Sequence, residues 1–274
     1  MKRALAAALL ILTGCSGSAT EPVAIVVSSR GTLGTGPQRV LLTLIDVETN
    51  EVLASPERDV MVEVFRPEGD SLGVHRAVFV WLLPEVVGLY ELEVDFPTSG
   101  PYNFVVDADG LSSSSAFHSI VADPSVPQVG EMAVSSQTRV AADFDELSEI
   151  TSDPNPDPSL YQMTAAEAVS NGTPAVLVFA TPAFCQSQAC GPMLDQVKAI
   201  KGQFADVDFV HVEIYENLDA RSLDELIPVR ATQEWGLPSE PWVFVVDASG
   251  VVATVFEGVV SAEALLASIE SVRS

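Results

Sequence analysis

Lysine is nearly absent from this 274-residue chain, which has only Lys2, Lys198 and Lys201. Bases total 13 against 38 acids, a net charge of -25. A surface so short of positive charge is a poor match for the phosphates of nucleic acid or for an anionic membrane surface, and it argues against both as partners. The acidity reflects missing bases as much as added acids, and it suits a setting of high ionic strength. Histidine and cysteine are scarce as well, three of each. They nowhere cluster at zinc spacing, so neither a metal nor another cofactor is expected. The apolar run from Ala4 to Leu12 is too short to span a bilayer. What the chain does have is 47% hydrophobic residues, enough for packed cores, and a length that suits two domains.

The first fifteen residues form a targeting segment. Lys2 and Arg3 supply a positive start, Ala4 to Leu12 an apolar core, and Leu12-Thr13-Gly14-Cys15 resembles a bacterial lipobox. That resemblance implies export, cleavage before Cys15 and a lipid on its thiol, so the mature chain is expected to be anchored to a membrane and to face the extracytoplasmic side. The plainer alternative is an ordinary secretory signal with an incidental cysteine. Residues 16–22, rich in Ser, Gly and Thr, read as a tether.

Residues 23–122 alternate with period two between turn residues. Strands are expected near Ala24–Ser28, Arg39–Val47, Val60–Phe65, Arg76–Leu83, Leu89–Asp95, Tyr102–Asp107 and Ala116–Val121. Seven short strands with Gly, Pro, Asp and Ser breaks predict a β-sandwich of immunoglobulin-like type. His75 and His118 read as ordinary strand residues and Trp81 as core. Residues 123–160 read as a linker, whose Asp153-Pro-Asn-Pro-Asp-Pro158 run should be extended and self-repelling. Asp143 to Glu149 reads as a solvated acidic stretch holding at most a helical turn.

A second domain, 161–274, opens with a capping box at Thr164-Ala-Ala-Glu167 and a stop at Asn171-Gly172. The pattern then predicts strand 175–181, helix 191–204 and strand Asp208–Ile214. After a short helix at Ala231–Trp235 come a hairpin of Trp242–Asp247 with Val251–Glu257 and a closing helix from Ser261 to Val272. This is a mixed α/β sheet with helices on both faces. His211 lies in a strand and reads as a core-edge residue rather than a copper ligand.

Between the first strand and its helix lie Cys185 and Cys190, the only cysteines besides Cys15. In an exported chain such a pair can close a disulfide. Five helical residues rise about 7.5 Å, and disulfides rarely join Cα atoms more than about 7 Å apart. Both cysteines therefore cannot sit in intact helix. Either Cys185 precedes the helix or the first turn unwinds on oxidation, where Pro192 would already weaken a helix begun near Cys185. A redox-linked local rearrangement is expected, larger than in a motif with two intervening residues.

The segments Phe179-Ala-Thr-Pro-Ala-Phe-Cys185 and Leu237-Pro-Ser-Glu-Pro241-Trp-Val-Phe-Val-Val-Asp-Ala-Ser-Gly250, with the element order around them, resemble the thioredoxin superfamily. The resemblance covers about residues 160–274. It implies a thioredoxin-like fold, catalytic Cys185 and Cys190, and a cis-proline at Pro241 that binds substrate together with Glu240. Two features depart from the family. Gln186, Ser187, Gln188 and Ala189 separate the cysteines where two residues are usual, and Leu177, Val178 and Phe179 occupy the region where many thioredoxins carry a buried acid. Two registers remain open: Cys185 as nucleophile with Cys190 resolving, or Cys190-Gly-Pro-Met193 in place of Cys-Gly-Pro-Cys. The expected activity is extracytoplasmic thiol–disulfide exchange with protein thiols or disulfides and an unidentified redox partner. The Cys-x4-Cys-Gly spacing after Thr-Pro also resembles two-cysteine peroxiredoxins of the bacterioferritin-comigratory class, which makes a thiol peroxidase one alternative. A non-catalytic surface binding module is the other.

Overall fold

Alternating apolar side chains between residues 22 and 120 close over a single core. The computed structural model describes residues 22–83 and 85–273. Its first unit has seven strands, β1 (Pro22–Val26), β2 (Gly36–Asp46), β3 (Val60–Phe65), β4 (Ser71–Leu83), β5 (Val87–Phe96), β6 (Gly100–Ala108) and β7 (Ser114–Ile120). Each of the seven strands expected from the sequence is present. All pairings are antiparallel, in the order β1-β2-β5-β4-β3-β6-β7. The long β4 serves two partners: its first half to Ala77 pairs with β3, and its second half from Val78 pairs with β5. β1 lies beside β7, which brings the two ends of the order together. The side chains of Val40, Leu42, Val60, Val62, Tyr90, Leu92, Tyr102 and Phe104 fill the interior. Full burial of each aliphatic member contributes about 1.5–3 kcal/mol.

Trp81 departs from its expected core position. It is 40% exposed and packs edge-on against Phe79, with centroids 4.8 Å apart. The core assignment rested on the apolar run around Trp81, but the register at Trp81/Leu83 is irregular and leaves the indole at the surface.

The second unit contains α1 (Ala165–Ala168), β8 (Ala175–Ala180), α2 (Cys190–Lys201), β9 (Asp208–Glu213), α3 (Arg230–Glu234), β10 (Trp242–Val246), β11 (Val252–Glu257) and α4 (Ala262–Ser271). The sheet runs β11-β10-β8-β9; β8 and β9 are parallel and the other pairs antiparallel. β8 is wholly buried, as a strand covered on both faces must be, hence its unbroken apolar sequence. Val176, Val178 and Ala180 share a core with Leu194 and Val197 of α2 and with Leu265 and Ile269 of α4. Ala175, Leu177 and Phe179 face the other way, towards Ala165, Ala168, Ala231 and Trp235. The capping box of α1 is formed, with Thr164 and Glu167 each accepting from the other's backbone N–H.

The Asp-Pro run between the units is not self-repelling. Asp153 pairs with Lys198 at 2.8 Å and Asp157 with Lys201 at 2.9 Å. Two of the chain's three lysines lie on the face of α2 that meets this run, and they neutralise it. Ile150, Leu160 and Tyr161 are buried in the core beneath α2, and short 3-10 turns form at Ala141–Asp143 and Leu147–Glu149.

The two units meet along a seam. Leu41, Val80 and Leu89 of the β-unit cluster with Ala189 and Val259. Beside them Arg39 donates to the carbonyls of Glu257 and Val259, pairs with Glu91 and lies over the Phe256 ring. The Glu257 carboxylate accepts the Ser29 N–H through both oxygens, at 2.9 and 3.1 Å, and the Ser239 hydroxyl at 3.1 Å.

Candidate functional site

The chain leaves the buried β8 at Ala180 and turns through Thr181 and Pro182 into the cysteine loop. Cys185 lies in that loop, partly exposed, while Cys190 is the first residue of α2 and fully buried. The two form a disulfide with Cα atoms 6.0 Å apart, within the usual range. Of the two arrangements the spacing permits, the structure has the one with Cys185 ahead of an intact helix. Gln188, at φ 61°, provides the left-handed turn that brings the four intervening residues back to the helix start. Pro192 is the third helical residue, where no intrahelical donor is required. It therefore does not weaken the helix, as it would had α2 begun near Cys185.

Ala189 caps α2 without a side-chain bond, which leaves the first helical N–H groups available. The N–H of Cys190 is directed at Cys185 Sγ, 3.3 Å away. Ser187 Oγ is also 3.3 Å from that sulfur and 3.4 Å from the Glu240 carbonyl, to which it can donate. Its single proton serves one of the two at a time. A backbone donor at a helix N-terminus favours negative charge on the sulfur it faces.

Across the loop, the Glu240–Pro241 peptide is cis, the form that the resemblance implied. The Pro241 carbonyl accepts the Gly258 N–H at 2.8 Å. The Glu240 carboxylate accepts a bond from the Gln186 backbone, and burial, reinforced by the charge of Glu213, raises its pKa above the usual carboxylate value. The structure thus brings Cys185, Cys190 and the Glu240 backbone together through Ser187. Cys15 lies outside the described residues.

Sequence reading missed Glu213. β8 carries no acid, as its sequence indicates, but Glu213 closes β9 in register with Ala180. Glu213 is 5% exposed and accepts from Ser152 N and Oγ, both at 2.7 Å. Ser152 Oγ in turn accepts the Ala183 N–H at 3.2 Å, so the acid is tied to the loop just before Cys185. The available signal was a lone carboxylate closing the apolar run Phe209-Val-His-Val-Glu213.

His211 is buried, with Nε2 3.0 Å from the Ala180 carbonyl and Nδ1 2.7 Å from the Tyr161 hydroxyl. The carbonyl only accepts, so Nε2 carries the proton and Nδ1 accepts from Tyr161. Burial lowers the pKa of the ring. Among the described residues no group of three or more His, Cys, Asp or Glu side chains is placed to hold a metal ion. No helix among them is long and apolar enough to cross a membrane.

No protein-family model and no curated protein matches the sequence. Similar solved structures include MTB dsbF in its mixed oxidized and reduced forms, at 21% identity, covering 41% of this chain and 89% of that one with a TM-score of 0.33. The Lin-41 filamin domain is similar at 16% identity, with 38% and 95% covered and a TM-score of 0.26. A conjugative transposon lipoprotein from Bacteroides eggerthii shares 9% identity over 36% and 95%, with a TM-score of 0.20.

Proposed function

We propose that the chain is an extracytoplasmic thiol–disulfide oxidoreductase with a thioredoxin-like C-terminal unit and an immunoglobulin-like N-terminal unit, anchored through a lipid on Cys15. Cys185 is the nucleophile and Cys190 the resolving thiol; Pro241 and Glu240 contact the substrate. The observation that carries this reading is the Cys185–Cys190 disulfide at a strand-to-helix junction, with its outer residue, Cys185, partly exposed and its sulfur facing a helical N–H.

In the dithiol state the Cys185 thiolate attacks one sulfur of a substrate disulfide. A mixed disulfide forms, and the other substrate sulfur leaves as thiolate. Cys190, once deprotonated, attacks Cys185 Sγ, expels the second substrate thiolate and restores the internal disulfide. Two electrons pass from chain to substrate, and the same steps in reverse oxidise a substrate dithiol. The burial of Cys190 favours this register over the one in which Cys190 attacks.

The test is trapping. Cys190→Ser, reduced and offered a disulfide-bonded protein, should accumulate a mixed disulfide at Cys185, detected by mass spectrometry, whereas Cys185→Ser should form none. Absence of adducts with both variants would leave a binding module. Peroxide consumption at a rate exceeding disulfide exchange would favour the peroxidase.

A further inference from the structure

The β-unit has no role in the chemistry described so far, yet its seam with the α/β unit opens into a groove against the first turn of α2, the helix that begins at Cys190. One wall carries Phe79 and Trp81 from β4; the other carries Pro192 and Met193 from the first turn of α2, with Val260 closing the end. Pro192 and Met193 lie two and three residues beyond Cys190. Val260 follows Val259, whose carbonyl Arg39 holds, and Gly258 just before it bonds the Pro241 carbonyl. The α2 wall is therefore covalently close to Cys190, and the Val260 end is joined to Pro241 through the Gly258 hydrogen bond, while the β4 wall belongs to the β-unit alone.

We propose that the β-unit is a substrate-recognition wall, and that this groove receives a short, extended, uncharged apolar segment of the protein whose sulfur reacts at Cys185. This rests on the thiol–disulfide reading and names its substrate class. Three observations select the occupant. Among the described residues no charged side chain lines the groove, whose one amide, Gln196, already donates to the Val260 carbonyl at 3.0 Å. A charged segment would lose its hydration there without gaining a partner. The volume, about 310 Å³, is at the lower end of the ligand-pocket range of about 300–1,000 Å³, which suits one or two side chains rather than a folded surface. Lastly, the groove continues the apolar seam of Leu41, Val80, Leu89, Ala189 and Val259, so an apolar segment laid in it extends a packed surface. Trp81, with 40% of its area exposed at the rim, presents the kind of large aromatic face that dominates such contacts.

The experiment uses the chain in its disulfide form and an acetylated, amidated octapeptide of alternating Val or Phe and Ser, titrated by calorimetry. Trp81→Ala should weaken binding roughly tenfold or more. Ala262→Glu should do likewise. It places a carboxylate in the groove lining, at a helical first turn that tolerates acids. Phe117→Ala, at an exposed position of β7 outside the groove, should stay within twofold of the wild type. No binding by the wild type, or equal binding by Trp81→Ala, overturns the proposal. Exchange of the reduced wild type with oxidised glutathione is measured separately. Failure there with peptide binding intact would remove the redox reading and leave the groove as a peptide site.

Discussion

The backbone N–H of Cys190 is aimed at the sulfur of Cys185 from 3.3 Å. One cysteine thus supplies the electrostatic environment of the other, and the two are not equivalent. Cys185 is partly open to solvent while Cys190 is sealed in the core under α2. After reduction, iodoacetamide should modify Cys185 at least about tenfold faster than Cys190, because reactivity follows thiolate character and access. Equal labelling by peptide mass mapping would refute the assigned roles.

Residues 186–189 hold a left-handed Gln188 and a hydroxyl shared between Cys185 Sγ and the Glu240 carbonyl. Breaking the sulfur bond removes the constraint that closes this loop. Amide shifts and hydrogen exchange should change most at 186–190 between the two redox states, with β8 unaffected. Superimposable loop spectra in both states would rule out the rearrangement.

Glu240 puts a carboxylate against the same loop, bonded to the Gln186 backbone. When ionised it disfavours a neighbouring thiolate. Glu240→Gln should raise the rate of exchange with a small disulfide at pH 7 by about three- to tenfold, the effect of one nearby charge, and move the rate–pH profile to lower pH. A slower variant with an unmoved profile would contradict this.

Arg39 meets Glu91, the Phe256 ring and two carbonyls of the other unit. Arg39→Ala leaves a largely buried carboxylate and those carbonyls without their partner, which should cost about 3 kcal/mol. Urea unfolding of the full chain measures it, and a loss below about 1 kcal/mol would mean that the contact is dispensable.

Burial raises the Glu257 carboxyl above its ordinary 4.5, outweighing the Ser29 and Ser239 bonds and the charge of Arg39. The folded chain holds this proton more tightly than the unfolded one. The contribution is therefore complete below about pH 4.5 and is lost as pH rises through the raised value. The stability difference between wild type and Glu257→Gln should shift against the wild type between pH 4.5 and neutrality. A pH-independent difference would show that the carboxyl does not titrate there.

Much of the fold was legible because it is periodic. Leu89 to Val94 alternates cleanly, and β8 is a short apolar run of strand length; the Thr164–Glu167 box and the Ser261 cap announce their helices locally. What escaped was long-range. The bond from Arg39 to Val259 spans 220 positions, and an arginine alternating on a strand looks solvated until its partners arrive. The Asp153–Lys198 pair was hidden for the same reason. The cysteine spacing did limit the disulfide geometry to two choices, because helical rise is a local property. Glu213 was invisible as a companion of the cysteine loop because only the β8–β9 register brings it opposite Ala180.

The seam has a consequence for anyone dividing the chain. Severed after β7, the C-terminal piece would bare the greasy flank of Val259 and leave the Glu257 carboxylate facing water in place of the Ser29 amide. The N-terminal piece would present an arginine deprived of its carbonyl acceptors and a strip of Leu41, Val80 and Leu89 open to self-association. Neither fragment is a finished molecule; the interface is interior that happens to lie between two sheets.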